Sequence, residues 1–98
     1  MNKKFHCVYA LSYHLVLVTK WRRRVIDAKI LERIREIAAM RCDEQGGRLV
    51  ECDGEPDHVH MLIELPPAVA LATFVNNLKT TTSRLVRRDF KSKIDRVF

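Results

Sequence analysis

The sequence predicts a single α+β domain of the ferredoxin-like β-α-β-β-α type. In that arrangement two helices cover one face of an antiparallel sheet, and here the last strand of the full unit is missing. Three observations carry the prediction. The chain has 98 residues, enough for one hydrophobic core and not for two. Its composition, 47% hydrophobic and 31% charged, is that of a folding chain. Sparse punctuation at Gly46-Gly47, Gly54, Pro56 and Pro66-Pro67 divides it into five elements whose apolar spacing reads as strand or helix.

The first element, Phe5 to Thr19, is apolar, β-branched and aromatic, and reads as a long strand. Asp27 can cap a helix whose apolar positions Ile30, Leu31, Ile34, Ile37 and Ala38 follow helical spacing. Gly46-Gly47 ends that helix. Arg48 to Asp53 makes a short strand, Gly54-Glu55-Pro56 turns the chain, and Asp57 to Leu65 alternates as the next strand. A second helix follows Pro66-Pro67, with Leu71, Phe74, Val75, Leu78 and Leu85 on one side. The first strand is apolar on both faces, since Leu11, Leu15 and Leu17 alternate with Val16 and Val18. A sheet covered on one side does not need that, so a second contact is expected, most simply a homodimer.

Composition also excludes classes. The stretch Val8 to Thr19 is too short to span a bilayer as a helix. The basic N-terminus lacks a small-residue cleavage site, so no secretory leader and no membrane partner are expected. Cys7, Cys42 and Cys52 form an odd set without a CxxC pair, which points to structural thiols in a reducing, cytoplasmic setting. A zinc site joining Cys52 to the downstream histidines is the rival reading of those thiols.

Charge is unevenly spread. The net charge is +6, yet residues 51–64 hold Glu51, Asp53, Glu55, Asp57 and Glu64 with no Lys or Arg. Both flanks are basic. Basic arms attract a polyanion, and an acidic island containing histidines attracts a divalent cation. Solvated surface charge is the plain alternative.

Within the island, Asp57-His58-Val59-His60-Met61-Leu62-Ile63-Glu64 is the sharpest local feature. On a strand, His58 and His60 point to one face while Val59, Met61 and Ile63 anchor the other. Two imidazoles so placed can converge on one metal ion. Imidazole suits Zn, Mn, Co or Ni, and Mg²⁺ is suited where phosphate oxygens complete its shell. Neighbouring carboxylates can orient the rings. Two exposed strand histidines without a ligand remain the alternative.

The segment Glu55-Pro56-Asp57-His58-Val59-His60-Met61-Leu62-Ile63 resembles the HUH motif (His, hydrophobic, His) of the single-tyrosine transposases of small bacterial and archaeal insertion sequences. Tyr13 through Val25 is similar to that family's N-terminal signature, and Phe74-Val75-Asn76-Asn77-Leu78-Lys79 through Ser83-Arg84 to its second helix. The resemblance covers roughly residues 9 to 90. It implies a dimeric enzyme that cuts and rejoins hairpin single-stranded DNA ends of a mobile element. It implies that His58 and His60, with a third polar ligand, hold a divalent metal ion (Mg or Mn) that polarises the scissile phosphate. A tyrosine then attacks, giving a 5′-phosphotyrosine and a free 3′-OH.

The resemblance places that tyrosine and the third ligand on a further helix, beyond a fourth strand. This sequence ends at Phe98, and its tyrosines are Tyr9 and Tyr13, with Tyr13 expected to be a packed strand aromatic. No catalytic residue is therefore assigned, and a C-terminally truncated chain, inactive in cleavage alone, is expected.

DNA contacts are expected from Lys20, Trp21, Arg22, Arg23 and Arg24, where cations bind phosphates and the indole offers a stacking surface. A solvated turn with Trp21 tucked into the core edge is the alternative. In the second helix Lys79, Arg84, Arg87 and Arg88, followed by Lys91, Lys93 and Arg96, form a basic face expected to meet the same DNA. Two other function classes stay open: a non-catalytic remnant that binds DNA and dimerises, and a small RNA-binding or ligand-sensing domain with an incidental histidine pair.

Overall fold

The computed structural model describes residues 10–90 and 97–98. The expected start of the first strand, with Cys7 and Tyr9, and the cations Lys91, Lys93 and Arg96 lie outside the described residues. The order is β1 (Leu11–Val18), a short turn (Lys20–Arg22), α1 (Ala28–Glu44), β2 (Arg48–Glu55), β3 (His58–Leu65) and α2 (Leu71–Phe90). The sheet order is β1-β3-β2, with β3 antiparallel to both neighbours. This is the α+β, ferredoxin-like arrangement that the sequence predicts.

Alternation builds the core. Tyr13, Leu15 and Leu17 of β1 lie opposite Ile63, Met61 and Val59 of β3, and all belong to or pack against one buried cluster. Ile34, Ile37, Ala38 and Cys42 of α1 and Phe74, Leu78 and Val86 of α2 join the same cluster, so both helices cover one face of the sheet. The other face of the sheet leaves Val16 and Val18 at 51% and 40% exposure.

Local signals set the ends of α1. The Asp27 side chain accepts from the backbone N–H of Ile30 at 2.8 Å, satisfying one of the first-turn donors. Gly46 takes φ +80° just past the helix end, a conformation glycine adopts without the Cβ clash. Arg33 Nε donates to Asp89 at 2.7 Å and ties α1 to α2, while Arg35 donates to the Cys52 carbonyl of β2.

The position of one turn needs correction. Strand β2 continues to Glu55, which pairs with His58, so the turn is Pro56-Asp57 and not Gly54-Glu55-Pro56. Gly54 serves close packing: a Cβ there would lie 2.9 Å from the His58 carbonyl oxygen and 3.2 Å from Leu31. Proline takes the turn because its fixed φ suits the first turn position.

Helix α2 packs its expected stripe against the core and also buries Thr81, Thr82 and Ser83. Ser83 Oγ accepts from the N–H of Val97 and of Phe98, and Lys20 N–H donates to the Val97 carbonyl at 2.8 Å. Arg41 donates to Thr81 Oγ1 at 2.6 Å. Thr81 and Ser83 thereby hold α2 to α1 and to Val97-Phe98.

Both described cysteines, Cys42 and Cys52, are buried and free. Burial pushes the Cys42 thiol up to about 11, as expected of an unreactive packing residue. No helix among the described residues is long and apolar enough to cross a membrane.

Candidate nucleic-acid and metal site

Strand β3 buries Val59, Met61 and Ile63 almost completely, which leaves its other side chains to the uncovered face. His58 and His60 stand there with ring centres 4.8 Å apart and planes nearly perpendicular. A third imidazole, His14 of β1, lies 5.8 Å from His60 on the same face. Sequence reasoning did not single out His14. Its parity with Val16 and Val18 was readable, but only the β1–β3 register, which sets Val16 against His60, brings it to the pair.

Cys52 lies opposite Met61 on the buried side, so the sheet separates it from the histidines and the joint zinc site is not formed. Tyr13 likewise turns toward the helices, half-buried against the core and opposite Ile63.

One member of the acidic island reaches the pair. His58 Nδ1 and Asp57 Oδ1 are 2.7 Å apart, and Asp57 Oδ2 accepts from Arg22 at 3.2 Å. The His58 hydrogen bond, reinforced by Arg22, holds the Asp57 carboxyl below its ordinary range. Glu64 pairs with Arg48 at 2.8 Å. No group of three or more His, Cys, Asp or Glu side chains among the described residues is arranged to hold a metal ion.

The segment after β1 is fastened to the turn that precedes His58. Thr19, 2% exposed, donates its N–H to the Asp57 carbonyl at 2.9 Å, and its hydroxyl lies 2.7 Å from the Arg23 carbonyl. Ile26 N–H donates to the Pro56 carbonyl at 3.0 Å. Between these anchors Trp21 and Arg22 adopt φ of 63° and 53°, the left-handed region that bulky residues avoid.

Trp21 is 81% exposed, with Lys20 Nζ 5.8 Å from its ring centre, so the indole is not tucked into the core edge. Arg23 Nε donates to the Lys20 carbonyl, and Arg24 is exposed.

The expected DNA-binding residues therefore separate into two places. Lys20, Trp21, Arg22, Arg23 and Arg24 adjoin the histidine pair through Arg22 and Asp57. Lys79, Arg84, Arg87 and Arg88 belong to α2, which covers the opposite face of the sheet. The expected nearness of this helical face to the acidic island is thus corrected. Helical packing on the apolar side of β3 puts the whole sheet between them. Arg88 is bonded to Asp89 at 2.9 Å.

Known proteins resemble this chain over most of its length. The family described as "Transposase IS200 like" matches residues 7–98. The transposase for insertion sequence element IS200 of Salmonella typhimurium is 28% identical over 85 residues, covering 87% of this chain and 56% of the relative. The ISDra2 transposase TnpA of Deinococcus radiodurans is 31% identical over 84 residues, covering 86% of this chain and 60% of the relative. The chain thus spans a little over half the length of these curated relatives. A crystal structure of a Deinococcus radiodurans R1 protein superposes with a TM-score of 0.79 at 31% identity, covering 93% of this chain and 70% of that one.

Proposed function

Since this chain belongs to the IS200-like transposase family, we propose that it binds the single-stranded DNA ends of an insertion sequence and holds a divalent cation at His58 and His60. The observation that carries the reading is the pair of imidazoles on the uncovered face, one of them already bonded to a carboxylate and next to the Trp21 segment. The donor set fits part of a coordination shell: two imidazoles, with phosphate and water oxygens as the remaining ligands. Bound there, Mg²⁺ or Mn²⁺ would polarise a backbone phosphate. The indole of Trp21 stacks on a base, and Lys20 and Arg24 neutralise neighbouring phosphates. Strand transfer through a phosphotyrosine requires a tyrosine hydroxyl on this same face.

The placement of Tyr13 favours a second reading. That side chain lies on the far side of the sheet from His58 and His60, so it does not supply the hydroxyl. On this reading the chain binds DNA, dimerises and does not cut.

The test is a hairpin single-stranded oligonucleotide, end-labelled, incubated with the protein and Mn²⁺. Salt-sensitive retardation in a native gel supports DNA binding, and loss of Mn²⁺ binding in the variant with His58→Ala and His60→Ala supports the cation site. A covalent protein–DNA band on a denaturing gel decides for cutting, and its absence for the binding-only reading. Duplex and single strands bound equally would sink the single-strand proposal.

A further inference from the structure

We propose that Asp57 and Arg22 are positioning residues for His58: Arg22 fixes the Asp57 carboxylate, which holds His58 in its Nδ1–H tautomer and leaves Nε2 as the nitrogen with the free lone pair. Its consequence for a cation rests on the function proposed above; the tautomer does not.

The chemistry of the contact sets the tautomer. An ionised carboxylate only accepts hydrogen bonds, so the 2.7 Å approach of Asp57 Oδ1 to His58 Nδ1 needs a proton on Nδ1. A neutral imidazole carries one proton, and Nε2 is then the acceptor or ligand. An exposed imidazole in water prefers the opposite tautomer. The Asp57 side chain is only 16% exposed, so water competes poorly for this bond. Both carboxylate oxygens are used, Oδ1 on His58 and Oδ2 on Arg22, which removes the rotational freedom of the aspartate.

The backbone around Arg22 is consistent with this role. Two successive non-glycine residues, Trp21 and Arg22, are held in the left-handed region, where their Cβ atoms crowd the backbone. An ion pair with a 67% exposed arginine adds little to stability, so the pair does not account for the strained segment. Orientation does account for it. The turn at Lys20–Arg22 brings Arg22 back toward Pro56-Asp57, and Thr19 and Ile26 fasten both ends of the segment to that same turn. Arg22 is thereby distinguished from its basic neighbours: it acts on the site through Asp57, whereas DNA contact falls to Lys20, Trp21 and Arg24.

The experiment is ¹⁵N-histidine NMR of the metal-free protein at about pH 8, where an ordinary imidazole is neutral, with His58 assigned from a His58→Gln variant. The expected result is an Nδ1–H, Nε2-unprotonated pattern for His58, reverting to Nε2–H in Asp57→Ala. In Arg22→Gln the Nδ1–H signal broadens through faster solvent exchange. Mn²⁺ affinity falls about 10- to 100-fold in Asp57→Ala, as for lost outer partners of ligating histidines, and falls less in Arg22→Gln. A far-ultraviolet circular dichroism spectrum matching the parent's reports that both variants fold. An Nε2–H pattern in the parent protein overturns the proposal. A His58 signal unchanged in Arg22→Gln, with DNA affinity reduced instead, overturns the place of Arg22. Failure of the parent to bind Mn²⁺ overturns the cation site alone, and the tautomer pattern still decides the positioning.

Discussion

His14 and His60 stand on neighbouring strands with ring centres 5.8 Å apart, on the face of the sheet that neither helix covers. His14 is exposed and sits beside the 4.8 Å pair rather than inside it. Because no three described ligand side chains form a metal cluster, His14→Gln is expected to leave Mn²⁺ affinity within about threefold of the parent, which is below 1 kcal/mol. His60→Gln should lose tenfold or more, about 1.4 kcal/mol. Titration by electron paramagnetic resonance distinguishes the two, and equal losses would make His14 a ligand.

Trp21 is both a strained residue and an exposed ring. Trp21→Ala is expected to weaken single-strand binding by roughly 1–3 kcal/mol, the usual worth of one stacked base. Trp21→Gly should bind as poorly yet unfold at higher urea. Relief of the left-handed backbone gains about 1–2 kcal/mol, partly offset by about 0.5–1 kcal/mol of extra chain entropy. Fluorescence polarisation with a labelled oligonucleotide and urea unfolding by circular dichroism measure the two effects. A glycine variant less stable than the parent would show that the indole packs.

Gly54 tests the close approach of β2 and β3. A methyl group there meets the His58 carbonyl oxygen at 2.9 Å, a backbone atom that cannot rotate aside. Gly54→Ala should cost about 1–3 kcal/mol, the range for overpacking, and lower the melting temperature by about 4–8 °C per kcal/mol. An unchanged midpoint in calorimetry would contradict the packing.

Asp89 links stability to pH. Hydrogen bonds from Arg88, and then from Arg33, hold its carboxyl below the ordinary range. A depressed carboxylate stabilises the fold above its unfolded value of about 3.9, and that contribution disappears as pH falls through the lower folded value. Melting temperature should therefore drop on acidification below about pH 4, and Asp89→Asn should flatten the drop while lowering stability at neutral pH. A variant curve parallel to the parent's would remove Asp89 from the linkage.

Much of the architecture was legible because it is local. Asp27 as a cap, Gly46 as a stop and the alternation of Val59, Met61 and Ile63 each act within a few residues of chain, so their consequences are written in spacing. The same parity put His58 and His60 on one face. The turn was misplaced because Gly54 looks like punctuation, whereas its lack of a side chain serves contact with β3 and Leu31. Burial of Thr81 and Ser83 was equally hidden, since their partners are Arg41 and Val97-Phe98, distant in sequence.

By itself, then, the sequence determined the order of elements, the covered face of the sheet and the exposure of the histidine pair, because period and punctuation are properties of adjacent residues. Tertiary structure decided which residues meet. Antiparallel register across β1 and β3 put His14 beside His60. Anchoring of the Thr19–Ile26 segment on Pro56-Asp57 joined Arg22 to Asp57 and Asp57 to His58. Packing of α2 on the buried face carried its arginines away from that site. Each of these depends on contacts between residues dozens of positions apart, whose pairing is set by the core as a whole and by no local pattern.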